Sequence, residues 1–214
     1  MKADPMQADV ERVLIDRDTI AARVAALAEQ IAADLRAETH AEETVEITLV
    51  PILTGSMIFV ADLVRHLPLR MQIHIISVSS YPGTATESRG PSVEAALTRI
   101  PETLTGQHVL VIDDILDSGR TLRTVTDILQ QRSPASLRTC VLLRKQRDTA
   151  MHCPVDYIAF DIPDRFVVGY GLDYNDYYRN LPEICTLRPE IVSSSKFQVP
   201  SSKLIGGSAA VSAT

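Results

Sequence analysis

Apolar positions along this chain follow two rhythms, one of three to four residues and one of short unbroken runs. Ile20, Val24, Leu27, Ile31 and Leu35 fall at steps of three and four, which places them on one stripe of a helix. Asp18 or Thr19 can cap that helix, which runs to about Ala37. Residues 45–52 read as a strand, Leu53-Thr54-Gly55 as a turn, and Ser56 as the cap of a helix reaching His66. A strand follows over residues 70–78. Residues 79–92 lack aliphatic anchors other than alanine and hold two glycines and two prolines, so they are expected to form a mobile loop. Strands are predicted at 93–98 and 109–112, a helix over 122–131, and strands at 137–144 and 155–160. Repeated β–α–β order predicts an α/β fold, a mainly parallel twisted sheet with helices on both faces.

Composition narrows the setting. A chain of 214 residues, 45% hydrophobic, suffices for one α/β domain with a sizeable core. Residues 1–192 are read as that domain. The last 22 residues, 193–214, hold seven serines and read as a disordered tail. No apolar run approaches membrane-spanning length, and the polar N-terminus does not resemble a secretory signal. Cys140, Cys153 and Cys185 are odd in number and widely spaced, without a zinc or redox spacing. A cytoplasmic location is expected. The net charge of −6 comes without a basic run, so neither nucleic acid nor membrane is an expected partner.

The chemistry concentrates after the run Val109, Leu110, Val111, Ile112. Asp113 and Asp114 sit where that strand is expected to end, at the edge where open α/β sheets bind ligands. Asp117-Ser118-Gly119-Arg120-Thr121 then leads into a helix. The first amides of a helix lack internal partners and favour an anion. Gly119 permits a tight turn, and Ser118 and Thr121 add hydroxyls. This is a cradle for one phosphate monoester, distinct from the Gly-x-x-x-x-Gly-Lys and Gly-x-Gly-x-x-Gly loops. Two acids beside a phosphate need other partners: sugar hydroxyls, or a Mg²⁺ ion with several waters.

The whole segment resembles the signature for 5-phosphoribosyl 1-pyrophosphate (PRPP) of type I phosphoribosyltransferases. From about Val45 to Leu187 the chain is similar to the hypoxanthine-guanine branch of that family. The resemblance implies the family's sheet with a small hood built from the chain ends. It also implies purine salvage: hypoxanthine or guanine plus PRPP gives IMP or GMP plus pyrophosphate, with Mg²⁺ as cofactor and a homodimer or homotetramer as assembly.

Roles follow residue by residue from the resemblance. Asp113, Asp114, Asp117, Ser118, Gly119, Arg120 and Thr121 would bind PRPP, with Asp117 as the catalytic base. Thr54 and Gly55 match a loop that contacts pyrophosphate. Relatives often carry lysine at the position of Thr54, so a charge is missing here. Ser80 and Tyr81 match a pair that closes as a lid over the reacting centre. Lys145, at the end of a strand, would donate to the 6-oxygen of the purine. Phe166 would stack on the base, and the backbone of Val167 would read its edge. Asp173, grouped with the purine-binding residues, would hold a second Mg²⁺ near the pyrophosphate, and Arg179 would bind the pyrophosphate itself. Asp113 and Asp114 are the other metal candidates. Four of the six tyrosines lie between residues 170 and 178, as an aromatic wall or a packed subunit contact. A rival of the same fold, an RNA-binding regulator of the pyrimidine-operon type, would need a basic RNA face.

Overall fold

The structure is a computed structural model that describes residues 5–39, 45–77 and 100–193. The expected lid at 79–92, with Ser80 and Tyr81, the strand at 93–98 and residues 194–214 of the expected tail lie outside the described residues.

Five parallel strands form the central sheet in the order β3-β2-β5-β6-β7. They are β2 (Glu46–Leu53), β3 (Arg70–Ile73), β5 (His108–Leu116), β6 (Ser136–Lys145) and β7 (Tyr157–Ile162). A short β4 (Ile76–Ser77) pairs with the end of β2. The long strand predicted over 70–78 is thus two pieces, separated at His74 and Ile75.

Alternate residues of the central strands enter separate cores. Leu110 and Ile112 pack with helix α2 (Arg17–Glu38) and helix α3 (Met57–His66). Val109 and Val111 pack with Leu122, Val125 and Leu129 of helix α4 (Arg120–Gln130). Burial on both faces explains why these strands read as unbroken apolar runs. The stripe predicted for α2 is buried as expected.

Several boundaries differ from the sequence reading. The cap of α2 is Asp16, whose Oδ1 accepts from the amides of Asp18 and Thr19 at 3.0 and 2.9 Å. Ser56 occupies the cap position of α3 but donates to the Ile52 carbonyl at 2.6 Å instead of capping. β7 starts and ends two residues later than predicted.

Apart from the sheet, β1 (Val10–Ile15) pairs antiparallel with β8 (Ile184–Leu187). With the short helices α1 (Pro5–Asp9) and α6 (Pro189–Ser193), this pair makes the hood, whose own core includes Val168, Tyr178, Leu181 and Cys185. Another short helix, α5 (Asp148–Met151), follows β6.

Candidate active site

The strand order reverses between β2 and β5, and ligands of open α/β sheets bind at such a switch point. The last pair joining these strands is Pro51 with Ile112. Beyond it β2 turns to β4, while β5 continues through Asp113 and Asp114 to Leu116, paired with β6 alone. The two acids therefore lie inside the strand and not at its end, on the side that β2 has left. A cleft of about 600 Å³ opens there, lined by Thr54, Gly55, Asp113, Asp114, Thr121, Asp173, Asp176 and Arg179 among others.

Both strand acids are costly to ionise. Burial pushes the carboxyl of Asp113 well above the usual range, and the neighbouring charge of Asp114 adds to this. Burial also raises Asp114, against the opposing effects of its hydrogen bonds and of Arg179. Their oxygens are held by local amides, Asp113 Oδ1 by Asp114 N at 3.0 Å and Asp114 Oδ1 by Ile115 N at 2.9 Å. Gly55 is needed for this arrangement. A β-carbon there would lie 1.6 Å from Asp114 Oδ2. On its other side the Gly55 carbonyl would be 2.1 Å from a β-carbon on Gly171. The loop after β2 is thus sandwiched between the acid and the hood. Among the described residues, no group of three or more His, Cys, Asp or Glu side chains could hold a metal unaided.

The 117–121 loop opens α4. Gly119 is its cap residue, at φ +72°, and the helix begins at Arg120, two residues earlier than predicted. With no side chain on the cap residue, none caps the helix from there, and Ser118 Oγ lies 3.5 Å from Arg120 N. The first amides therefore remain suited to an anion.

Asp117 sits between two cations. Lys145 Nζ donates to its Oδ2 at 3.0 Å, and Arg147 Nη1 donates to its Oδ1. Partial burial alone would raise this carboxyl, but the hydrogen bonds and charges of Lys145 and Arg147 outweigh burial and hold it below the ordinary value. Lys145, the last residue of β6 and largely buried, also lies 3.6 Å from Asp164.

The hood supplies the rest. Arg179 donates to the Gly171 carbonyl at 2.9 Å and pairs with Asp173 at 2.8 Å and Asp176 at 3.0 Å. Asp173 Oδ2 in turn accepts from Asp176 N. Phe166 is 48% exposed and stands nearly perpendicular to Tyr174, ring centroids 5.5 Å apart. Val167 is buried. The tyrosine cluster divides: Tyr170 and Tyr178 are core, whereas Tyr177 is exposed.

The structure therefore gathers Thr54, Gly55, Asp113, Asp114, Thr121, Asp173 and Arg179 around one cleft, and joins Asp117 to Lys145 beside it. Three participants had no signal in the sequence reading. Asp176 carries no recognisable motif role, yet it lines the cleft and pairs with Arg179. Arg147 and Asp164 are scattered surface-type charges whose convergence on Asp117 and Lys145 depends on the packing of three separate loops.

Comparison with known proteins agrees with this geometry. Residues 16–175 match the phosphoribosyl transferase domain. The hypoxanthine-guanine phosphoribosyltransferase of Mycobacterium tuberculosis is 42% identical over 86% of this chain and 89% of its own length. The hypoxanthine phosphoribosyltransferase of Staphylococcus aureus has a solved structure that superposes with a TM-score of 0.77, at 33% identity, over 91% of this chain and all of that one. The Trypanosoma cruzi hypoxanthine phosphoribosyltransferase, solved in complex with the product IMP, gives a TM-score of 0.74 at 36% identity over 86% and 97% of the two chains. With the switch-point cleft, the strand acids and the 117–121 loop all in place, this chain belongs to the hypoxanthine-guanine phosphoribosyltransferase family.

Proposed function

We propose that this enzyme transfers the phosphoribosyl group of PRPP to N9 of hypoxanthine or guanine, giving IMP or GMP and releasing pyrophosphate. The observation that carries the reading is the contact between Asp117 and Lys145. It joins the loop suited to a sugar phosphate to the one largely buried cation placed for a 6-oxo group, so sugar and base would meet across a shared wall.

In this reading the 5′-phosphate sits on the amides and hydroxyls of residues 117–121, with Arg120 flanking. Asp113 and Asp114 take the ribose hydroxyls, directly or through Mg²⁺. That ion is commonly held by one or two carboxylates together with substrate phosphates, which suits two buried acids that are costly to ionise without one. Asp173 would serve a second ion, near the pyrophosphate. Bound Mg²⁺ would neutralise charge on the leaving pyrophosphate. Arg179 and the Thr54–Gly55 loop face the same pyrophosphate, with a backbone amide and a hydroxyl where relatives often place lysine.

Phe166 has an exposed ring available for stacking, and the Val167 backbone meets the base edge. Lys145 donates to O6, for which adenine offers no acceptor. As N9 bonds to C1′ and the C1′–O bond to pyrophosphate breaks, the proton on N7 passes to Asp117. A purine oxygen that takes a share of Lys145 withdraws positive charge from Asp117 and leaves it the more basic. The net charge of −6 disfavours the RNA-binding alternative. We place the enzyme in the cytoplasm as a homodimer or homotetramer. No helix among the described residues is long and apolar enough to cross a membrane, and Ile73 and Ile75 leave an apolar strip at one sheet edge.

Steady-state kinetics with PRPP, Mg²⁺ and each of hypoxanthine, guanine, xanthine and adenine tests the reading. Hypoxanthine or guanine should turn over, adenine should not, and EDTA should abolish turnover. Adenine turnover comparable to that of hypoxanthine would refute the role given to Lys145.

A further inference from the structure

One segment outside the site just described touches it three times. Arg147 leaves the end of β6 and donates through Nη1 to Asp117 Oδ1. Thr149, within α5, donates through Oγ1 to the Asp117 main-chain carbonyl at 3.2 Å. Cys153, just past α5, packs beneath Gly119 so closely that a β-carbon there would be 2.7 Å from its Sγ. The two oxygens of Asp117 are thus taken by different cations, Lys145 on Oδ2 and Arg147 on Oδ1. Asp164 closes the ring, 3.6 Å from Lys145 Nζ and 3.7 Å from Arg147 Nε.

We propose that Arg147 is a positioning residue that grips Oδ1 of Asp117 and so turns Oδ2 toward Lys145 and the purine. The proposal rests on the roles given above to Asp117 and Lys145. The torsion that orients a carboxylate is broad and roughly two-fold. A loop aspartate therefore presents either oxygen unless something holds one of them. Lys145 is a poor anchor for this purpose, because the purine claims part of it. Arg147 has no duty toward the base, and its Nη1 gives Oδ1 a charge-assisted hydrogen bond while its Nε faces Asp164. Thr149 fixes the backbone of the same residue, so residues 147–149 secure both ends of Asp117. The charged groups facing this carboxylate are Lys145 and Arg147, with Asp164 behind them. Removing Arg147 leaves Lys145 as the only direct cation among the described residues.

The test uses Arg147→Met, Arg147→Lys and Thr149→Val in the full chain. Arg147 is 43% exposed on its side chain, so its replacement does not disturb the core. The first measurement is carboxyl ¹³C NMR of aspartate-labelled, unliganded protein, with the Asp117 signal identified by its loss in Asp117→Asn. In Arg147→Met the titration midpoint of Asp117 should rise by about one pH unit, the low end of the effect of a neighbouring opposite charge. Arg147→Lys should recover at least half of that rise. The second measurement is turnover of hypoxanthine. In Arg147→Met kcat should fall roughly ten- to a hundredfold, as expected for a misplaced reacting group, while KM for PRPP stays within about threefold. Arg147→Lys should restore most of kcat, and Thr149→Val should show a smaller fall of the same kind.

An unmoved Asp117 midpoint in Arg147→Met would overturn the grip. A moved midpoint with unchanged kcat would overturn its use in the reaction. Equal defects in Arg147→Lys and Arg147→Met would show that the shape of the side chain matters and its charge does not, and would also overturn the proposal. Absence of any purine turnover by the wild-type enzyme would instead refute the functional reading, and the NMR arm would still decide whether Arg147 holds Asp117.

Discussion

Gly119→Ala examines the turn on which the 117–121 loop depends. The φ of +72° lies in the left-handed region, where a β-carbon costs roughly 1–2 kcal/mol. That β-carbon would also meet Cys153, 2.7 Å from Sγ and 3.3 Å from Cβ. Cys153 is buried, and overpacking of this kind costs about 1–3 kcal/mol. Alanine also restricts the unfolded chain, which offsets about 0.4–1 kcal/mol. The expected net loss is about 2–4 kcal/mol, or roughly 4–16 °C in Tm for a chain of this size. Urea unfolding at fixed protein concentration measures it. The contact can be separated from the backbone term with Cys153→Ala. Removing Sγ from the Gly119→Ala protein should recover the packing share and leave the left-handed share, giving a coupling above about 1 kcal/mol in the double-mutant cycle. Additivity of the two substitutions within about 0.5 kcal/mol would refute the contact, and an unchanged midpoint in Gly119→Ala would refute both contributions.

Asp117→Asn keeps the shape of the side chain but not its ability to accept a proton, so kcat should fall roughly a hundred- to ten-thousandfold with KM for PRPP little changed. Its ion pairs are too exposed to be worth more than about 1 kcal/mol, so an unchanged kcat with a greatly raised KM would remove Asp117 from the chemistry. Asp113→Asn should stabilise the unliganded protein at neutral pH and weaken PRPP binding. Because burial raises the Asp113 carboxyl in the folded state, its contribution to stability is complete below the unfolded carboxylate value and is lost as pH rises through the folded value. Scanning fluorimetry from pH 4 to pH 8 should therefore show Asp113→Asn melting above wild type at pH 8, with the gap narrowing toward pH 4, and a lower Tm at pH 8 would contradict the burial argument. Deleting residues 194–214 should leave kcat and Tm nearly unchanged, since so polar a segment buries little, and a large fall in either would show that it docks.

The parts legible in the sequence were those written in local pattern. The α2 stripe and the two-faced strands follow from periodicity, because each buried position declares itself by its side chain. Asp113, Asp114 and the 117–121 loop follow from one contiguous motif. Boundaries were less legible. The sequence places Asp113 and Asp114 after a strand, yet pairing with β6 carries β5 three residues beyond Asp113. Ser56 has the right chemistry for a cap, but its hydroxyl finds the Ile52 carbonyl first. Arg147, Asp164 and Asp176 were illegible for a different reason. Arg147 and Asp164 reach Asp117 and Lys145 across loops distant in sequence. Asp176 instead pairs with Arg179 only three residues on, through a turn in which Asn175, Asp176 and Tyr178 all take positive φ, which residue type does not announce.

The pairing of β1 with β8 ties residue 10 to residue 187, and it has a temporal meaning during synthesis. The five-stranded sheet is complete once β7 has been made, but the hood needs β8 before β1 has anything to pair with. Phe166, Asp173 and Arg179 all lie in the stretch between β7 and β8, so their placement waits on the same event. A ribosome-stalled chain ending near residue 175 would contain the strand acids and the 117–121 loop and still lack a finished cleft. Activity in this fold thus reports on completion of translation through β8, and newly made molecules should become competent in one late step instead of gradually.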